Sequence, residues 1–166
     1  MHNQLTRDDI GKMQEEIEYR KLVVRRNALE DVKAARAQGD LSENFEYYAA
    51  KKFKNANESR IRFLERMIRT AEVIEDESAA DEVGVNKRVE VFFEEEQETE
   101  TYKIVTTMRQ NSLEGLISTE SPLGKALMGH KAGDRVFVEV EKGNGYYVTV
   151  RAVEAAGDEG EALRSF

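Results

Sequence analysis

Apolar residues recur at spacings of three and four, or their sum, through Ile10, Met13, Ile17, Val24, Ala28, Val32 and Ala35. That period lays them along one stripe of a helix. Thr6 and Asp9 stand just ahead of it as a T-x-x-D capping box. Between residues 7 and 38 there is no proline and Gly11 is the only glycine. The spacing therefore predicts one helix of about 31 residues, roughly 45 Å at ~1.5 Å per residue. A second stripe follows through Ala50, Phe53, Asn57, Ile61, Leu64, Ile68 and Ala71. Two stripes of period near 3.5 predict antiparallel coiled-coil partners.

Gly39-Asp40-Leu41-Ser42-Glu43-Asn44 interrupts the two stripes. Gly39 suits the left-handed position after a helix C-terminus. Asp40 or Ser42 can cap the next helix, and Asp40-Leu41-Ser42-Glu43 also reads as a capping box. The expected product is a tight tip holding Asp40 and Glu43 three residues apart, with Asn44 bonding locally. The seam is weaker beside the tip, where Lys51, Lys52 and Lys54 cluster.

From Glu75 to Asn86 the periodicity stops and small and acidic residues take over, which reads as a linker. Beyond it the period falls to 2. Residues 88–93 and 100–105 read as paired strands with an acidic turn between them, and 115–119 as a third strand. Ser121-Pro122 opens a short helix, with Ser121 as N-cap and Pro122 at the first position. Residues 135–140 and 146–153 form a hairpin around Lys142-Gly143-Asn144-Gly145. The expected architecture is α+β: a coiled-coil hairpin over residues 1–77 with its tip at 39–44, a linker over 78–86, a small, mostly antiparallel β domain with a short helix over 87–155, and a flexible tail over 156–166.

Charge refines this picture. The net charge is −8, yet residues 1–78 hold 15 Lys and Arg against 16 Asp and Glu. Within them Lys51, Lys52, Lys54, Arg60, Arg62, Arg66 and Arg69 face only Glu58 and Glu65 between residues 47 and 70. A local basic stripe on an acidic protein argues against long-range attraction to nucleic acid and leaves local phosphate contact open. Cysteine is absent, which excludes disulfides and thiolate metal sites and fits the cytoplasm. The N-terminal segment carries no apolar h-region of a signal peptide, and no apolar run is long enough to span a bilayer.

Two stretches carry a resemblance. Ala35 to Lys51, centred on G-D-L-S-E-N, and Ser118-Thr119-Glu120-Ser121-Pro122-Leu123-Gly124-Lys125-Ala126-Leu127-Met128 with Gly133-Asp134 together resemble bacterial Gre transcript-cleavage factors. The acidity is similar to the GreA branch rather than the more basic GreB branch. The resemblance implies an FKBP-like C-terminal domain and a monomer that docks on bacterial RNA polymerase. The coiled coil would enter the secondary channel and stimulate cleavage of the backtracked nascent RNA 3′ end. On this reading the protein is no enzyme itself and has no cofactor of its own. Asp40 and Glu43 would help hold a Mg²⁺ shared with the polymerase and orient water.

The resemblance also puts Arg36, Ser42, Asn44, Tyr47, Lys51 and Lys52 near RNA or polymerase, and Ser121, Pro122 and Leu123 on the docking domain. Plain readings stand beside these. Arg36 and Lys51 can be solvated or paired with Asp40 or Glu46. Phe45 and Tyr47 are expected to pack across the helix pair, with base stacking as the alternative. Ser121 to Leu123 would cap and pack the short helix. Two other classes remain: a channel-binding inhibitor without cleavage chemistry, for which an altered acidic tip would be expected, and an FKBP-like prolyl isomerase or chaperone, which would need a deep aromatic pocket.

Overall fold

The computed structural model describes residues 3–39, 44–157 and 160–165. It divides into two compact units, one of residues 10–71 and one formed by the chain up to Asp9 together with the chain from Glu72 onward. No helix among the described residues is long and apolar enough to cross a membrane.

The helical unit is a hairpin. Its first limb contains α1 (Arg7–Tyr19), a π-helical turn (Arg20–Val24) and α2 (Arg25–Arg36). Its second limb is α3 (Phe45–Arg69), packed against α2. The π turn, in which the Arg25 N–H donates to the Arg20 carbonyl, departs from the single unbroken helix expected. Its cause lies in the spacing of the seam. Buried Met13 and Ala28 are fifteen residues apart, one more than two heptads, while Ala28 and Ala35 are seven apart. A π turn takes up one extra residue and keeps both halves of the stripe on one side.

The α3 stripe buries Asn57, Arg60, Ile61, Leu64 and Met67. Asn57 answers the π turn, accepting from Arg20 Nη1 at 2.9 Å and donating to the Arg20 carbonyl at 3.3 Å. Arg60 is a correction to the basic surface read from the sequence: it is 8% exposed and donates to Glu16 at 2.8 Å. Glu16 also accepts from Arg20 Nε at 2.8 Å. Arg25 grips Glu58 through two bonds of 3.0 and 2.8 Å, and Lys21 meets Glu65 at 2.6 Å. Phe53 corrects the expected seam in the other direction, since it is 56% exposed. At ~100° per residue it lies about 50° to one side of the line through Ala50 and Asn57.

The second unit is a five-stranded sheet in the order β5-β4-β3-β7-β6. Its strands are β3 (Lys87–Phe93), β4 (Glu98–Val105), β5 (Leu116–Ser118), β6 (Arg135–Glu141) and β7 (Asn144–Ala155). The β4–β5 pair is parallel and the other pairs are antiparallel. Alternation puts Val89, Val91, Ile104, Val136, Val138, Val148 and Val150 into one core with Leu123 and Leu127 of α4 (Pro122–Leu127). Register irregularities at Glu90/Val91 and Glu139/Glu141 mark where β3 and β6 bend along β7. A short strand, β1 (Asn3–Leu5), pairs with β2 (Ala71–Val73).

The expected domain boundaries need three corrections. The start of the chain belongs with the sheet unit because Asp9, fully buried, binds Arg109 Nε at 2.6 Å and accepts the Thr106 hydroxyl at 2.7 Å. The Thr6–Asp9 capping box is present, with reciprocal bonds of 3.0 and 3.2 Å. Residues 78–86 are no free linker, since Val83 and Val85 are buried and Val83 joins the core. Lys87 holds that segment through the carbonyls of Ala79 and Glu82. Among the described residues after Ala155, the chain is fastened to the sheet unit rather than loose, with Glu161 paired to Lys103.

Candidate functional site

The tip is bounded by two helix ends built from local rules. At the C-terminus of α2 the Ala37 N–H donates to Lys33 and the Gln38 N–H to Ala35, each at 3.2 Å. Gly39 follows at φ +116°, a backbone that L side chains rarely adopt. At the N-terminus of α3 the cap is Asn44, not Asp40 or Ser42. Its Oδ1 accepts from the Tyr47 N–H at 2.9 Å, and its Nδ2 donates back to the Ala35 carbonyl at 2.7 Å. One side chain thus caps α3 and satisfies a terminal carbonyl of α2. Asp40, Leu41, Ser42 and Glu43 lie outside the described residues.

Charge and rings surround this frame. The Arg36 guanidinium lies 5.7 Å from the centre of the Tyr47 ring. Its hydrogen bond to the phenol, followed in size by opposing desolvation and then by the charges of Lys51, Arg36 and Lys54, leaves the Tyr47 hydroxyl below its ordinary pKa. Arg36 therefore engages Tyr47 across the two limbs, a partner that sequence reading did not assign. Tyr47 and Tyr48 meet edge-on with centres 5.5 Å apart. Phe45 does not pack across the pair: it is 85% exposed. At the start of α3 the half-buried line runs through Tyr47 and Ala50, and Phe45 lies off it. Lys51 and Lys52 are exposed beside it, and Tyr48 is half exposed.

The second sequence signature is mostly used internally. Ser121 caps α4, its hydroxyl accepting from the Gly124 N–H at 3.1 Å and donating to the Ser118 carbonyl at 2.7 Å. Leu123 is 9% exposed and sits in the core. Gly124 is required, since a Cβ there would stand 2.0 Å from the Ser118 carbonyl oxygen. Of the three residues considered for docking, Pro122 is the exposed one, and Ser121 is half-buried. Sequence reasoning missed Asp9, Asn86 and Arg109, whose buried network joins residues about a hundred positions apart. The only local signal was the Thr6–Asp9 box.

Among the described residues no three His, Cys, Asp or Glu side chains are grouped to hold a metal ion. Asp40 and Glu43, the pair that the resemblance implies for a shared Mg²⁺, lie outside those residues. Carboxylate oxygens suit Mg²⁺, and two of them leave most of an octahedral shell to water and other ligands, as that ion commonly requires.

Comparison with known proteins agrees with the layout. Residues 3–73 match the family described as "Transcription elongation factor, N-terminal", and residues 77–155 match "Transcription elongation factor, GreA/GreB, C-term". The transcription elongation factor GreA of Caldanaerobacter subterraneus is 44% identical over 84% of this chain and 89% of its own length. GreA of Geobacillus kaustophilus is 43% identical over the same shares. The crystal structure of GreA factor homolog 1 of Thermus thermophilus aligns at 25% identity with a TM-score of 0.42, over 93% of this chain and 100% of that one. The chain belongs to the GreA/GreB family of transcription elongation factors.

Proposed function

We propose that this protein is an accessory factor of bacterial RNA polymerase that stimulates the polymerase's own cleavage of backtracked nascent RNA. The helical hairpin enters the secondary channel and presents Asp40 and Glu43 to the polymerase active centre. The single observation that carries this reading is the frame of the tip. Asn44 ties the first turn of α3 to the last turn of α2.

In the complex, Asp40 and Glu43 supply oxygen ligands and accept hydrogen bonds from the attacking water. A shared Mg²⁺, when bound, supplies Lewis-acid stabilisation of the attacking and leaving oxygens. Arg36, Lys51 and Lys52 hold the RNA phosphates near the tip, with Tyr47 held by Arg36 as part of the same surface. Ser42 and Asn44 contact the RNA or the polymerase beside them. The sheet unit docks outside the channel through the surface around Pro122, with Ser121 and Leu123 holding α4 in place beneath it. The protein works as a monomer in the cytoplasm.

The test is to add the protein to a bacterial elongation complex stalled in a backtracked state with Mg²⁺. Shortened RNA that can again be extended is expected. Binding without new cleavage would instead identify a channel-blocking inhibitor and overturn the reading. The isomerase alternative is disfavoured by the sheet's interior, which α4 fills with Leu123 and Leu127. The rings of Tyr102 and Tyr146 each pack against Phe93, and the cleft beside Phe93 and Tyr102 is otherwise lined by Glu96, Glu98 and Glu100 rather than by further aromatic rings.

A further inference from the structure

Glu161 lies beyond residue 155, where both the family match and strand β7 end. Its side chain is nevertheless only 10% exposed and pairs with Lys103 Nζ, whose side chain is 8% exposed. Arg109, with no exposed surface on its side chain, stands 4.0 Å from the same carboxylate. The stretch is fastened on either side of that contact. The Ala156 N–H donates to the Asn86 carbonyl at 3.1 Å, and the Arg164 N–H donates to the Met108 carbonyl. Asn86 has a left-handed backbone at φ 65°, and its side-chain oxygen accepts from Arg109 Nη1 at 2.7 Å. One residue therefore anchors both the start of the stretch and the buried guanidinium.

Among the described residues three cations are buried in the sheet unit, and of these Lys87 is held by the Ala79 and Glu82 carbonyls while Lys103 and Arg109 lie near Glu161. Asp9 answers Arg109 and is already engaged by the Thr6 N–H and the Thr106 hydroxyl. The carboxylate that answers Lys103 comes from Glu161. A buried ammonium is stable only with a partner of opposite charge. A cleft of about 250 Å³ opens beside the pair, lined by Arg88, Lys103, Glu114, Gly115, Leu116 and Glu161.

We propose that Lys103 and Arg109 form an oxyanion pocket and that residues 160–165 are a strap filling it in cis with the Glu161 carboxylate. The ligand class is a carboxylate or phosphate oxyanion. The tethered carboxylate occupies the pocket because its effective concentration exceeds that of free anions. Displacing the strap leaves the pocket open to an anion entering through the adjoining cleft. The pocket is independent of the tip and of polymerase.

The experiment is thermal unfolding of the full chain and of Glu161→Ala, in chloride, acetate or inorganic phosphate at matched ionic strength. Glu161→Ala should lower the midpoint by roughly 5–15 °C. Phosphate or acetate should return part of that loss in the variant while leaving the unmodified chain unchanged. The better anion identifies whether the pocket prefers phosphate or carboxylate. An unchanged midpoint, or anions raising both proteins equally, would overturn the proposal. Should Glu161→Ala fail to fold, Lys103→Met combined with Glu161→Leu decides the matter. The double variant should fold and ignore both anions. If it is as unstable as Glu161→Ala, the charge pair is not what holds the strap.

Discussion

Asn44→Ala is the substitution that separates the frame of the tip from the rest of the hairpin. It removes the acceptor that caps α3 and the donor that reaches the Ala35 carbonyl at 2.7 Å. Loss of an N-cap side chain costs about 1 kcal/mol. The second hydrogen bond contributes about another 1 kcal/mol. A local loss of about 2 kcal/mol raises the opening equilibrium of the helix end roughly thirtyfold. Amide hydrogen exchange reads this directly. The Tyr47 amide should exchange some tens of times faster, while amides around Ile61 and Leu64 stay as they were, because those residues are held by the distant seam. RNA cleavage should fall while competition for polymerase persists. Asn44→Ser keeps a cap acceptor but cannot reach Ala35, so it should lie between. Unaltered Tyr47 exchange and unaltered cleavage in Asn44→Ala would refute the idea that this side chain organises the tip.

Glu16→Gln should destabilise the helical unit by about 2–3 kcal/mol in denaturant unfolding, because Arg60 and Arg20 lose the carboxylate between them. In the folded protein burial pushes the Glu16 carboxyl up, but the hydrogen bonds from Arg60 and Arg20 outweigh it and leave the pKa below the ordinary 4.5. Its stabilisation is therefore complete above that ordinary value and is lost as pH falls through the lower folded value. Circular dichroism should show the hairpin's midpoint dropping on acidification below about pH 4.5, with a shallower slope in Glu16→Gln. A fragment of residues 79–166 should melt well below the sheet unit of the whole chain, since it lacks Leu5 and Asp9, both fully buried, and strands Arg109. A fragment that melts at the same temperature would show that the chain's first residues are not part of that unit.

Much of this architecture could be read from periodicity, and each failure has a local reason. The change from a helical to a strand period located the sheet, and the Ser121-Pro122 start of α4 followed from capping chemistry alone. The choice of cap at the tip did not. Asp40, Ser42 and Asn44 are all acceptable caps by type. Asn44 is the cap that also reaches the other limb, its Nδ2 donating to the Ala35 carbonyl. Arg60 reads as surface because a guanidinium usually is. Glu16, forty-four residues away, makes its burial possible. Val83 and Val85 were lost in a stretch dominated by small and acidic residues, yet two valines flanking Gly84 are enough to enter a core. A Cβ on Gly84 would stand 2.3 Å from the Ser78 hydroxyl oxygen, so the segment is closely packed. The Asp9–Arg109 pair and the Lys103–Glu161 pair had no signal in any short window, since each joins residues far apart in sequence.

The decisive measurement compares RNA cleavage by backtracked polymerase in the presence of the unmodified protein, Asp40→Asn and Glu43→Gln, each at a concentration shown by competition to saturate the polymerase. Both variants should bind as the unmodified protein does and lose most of the stimulation, with part of it returning as Mg²⁺ is raised. Full stimulation by either variant at ordinary Mg²⁺ would contradict the metal-holding role of that carboxylate.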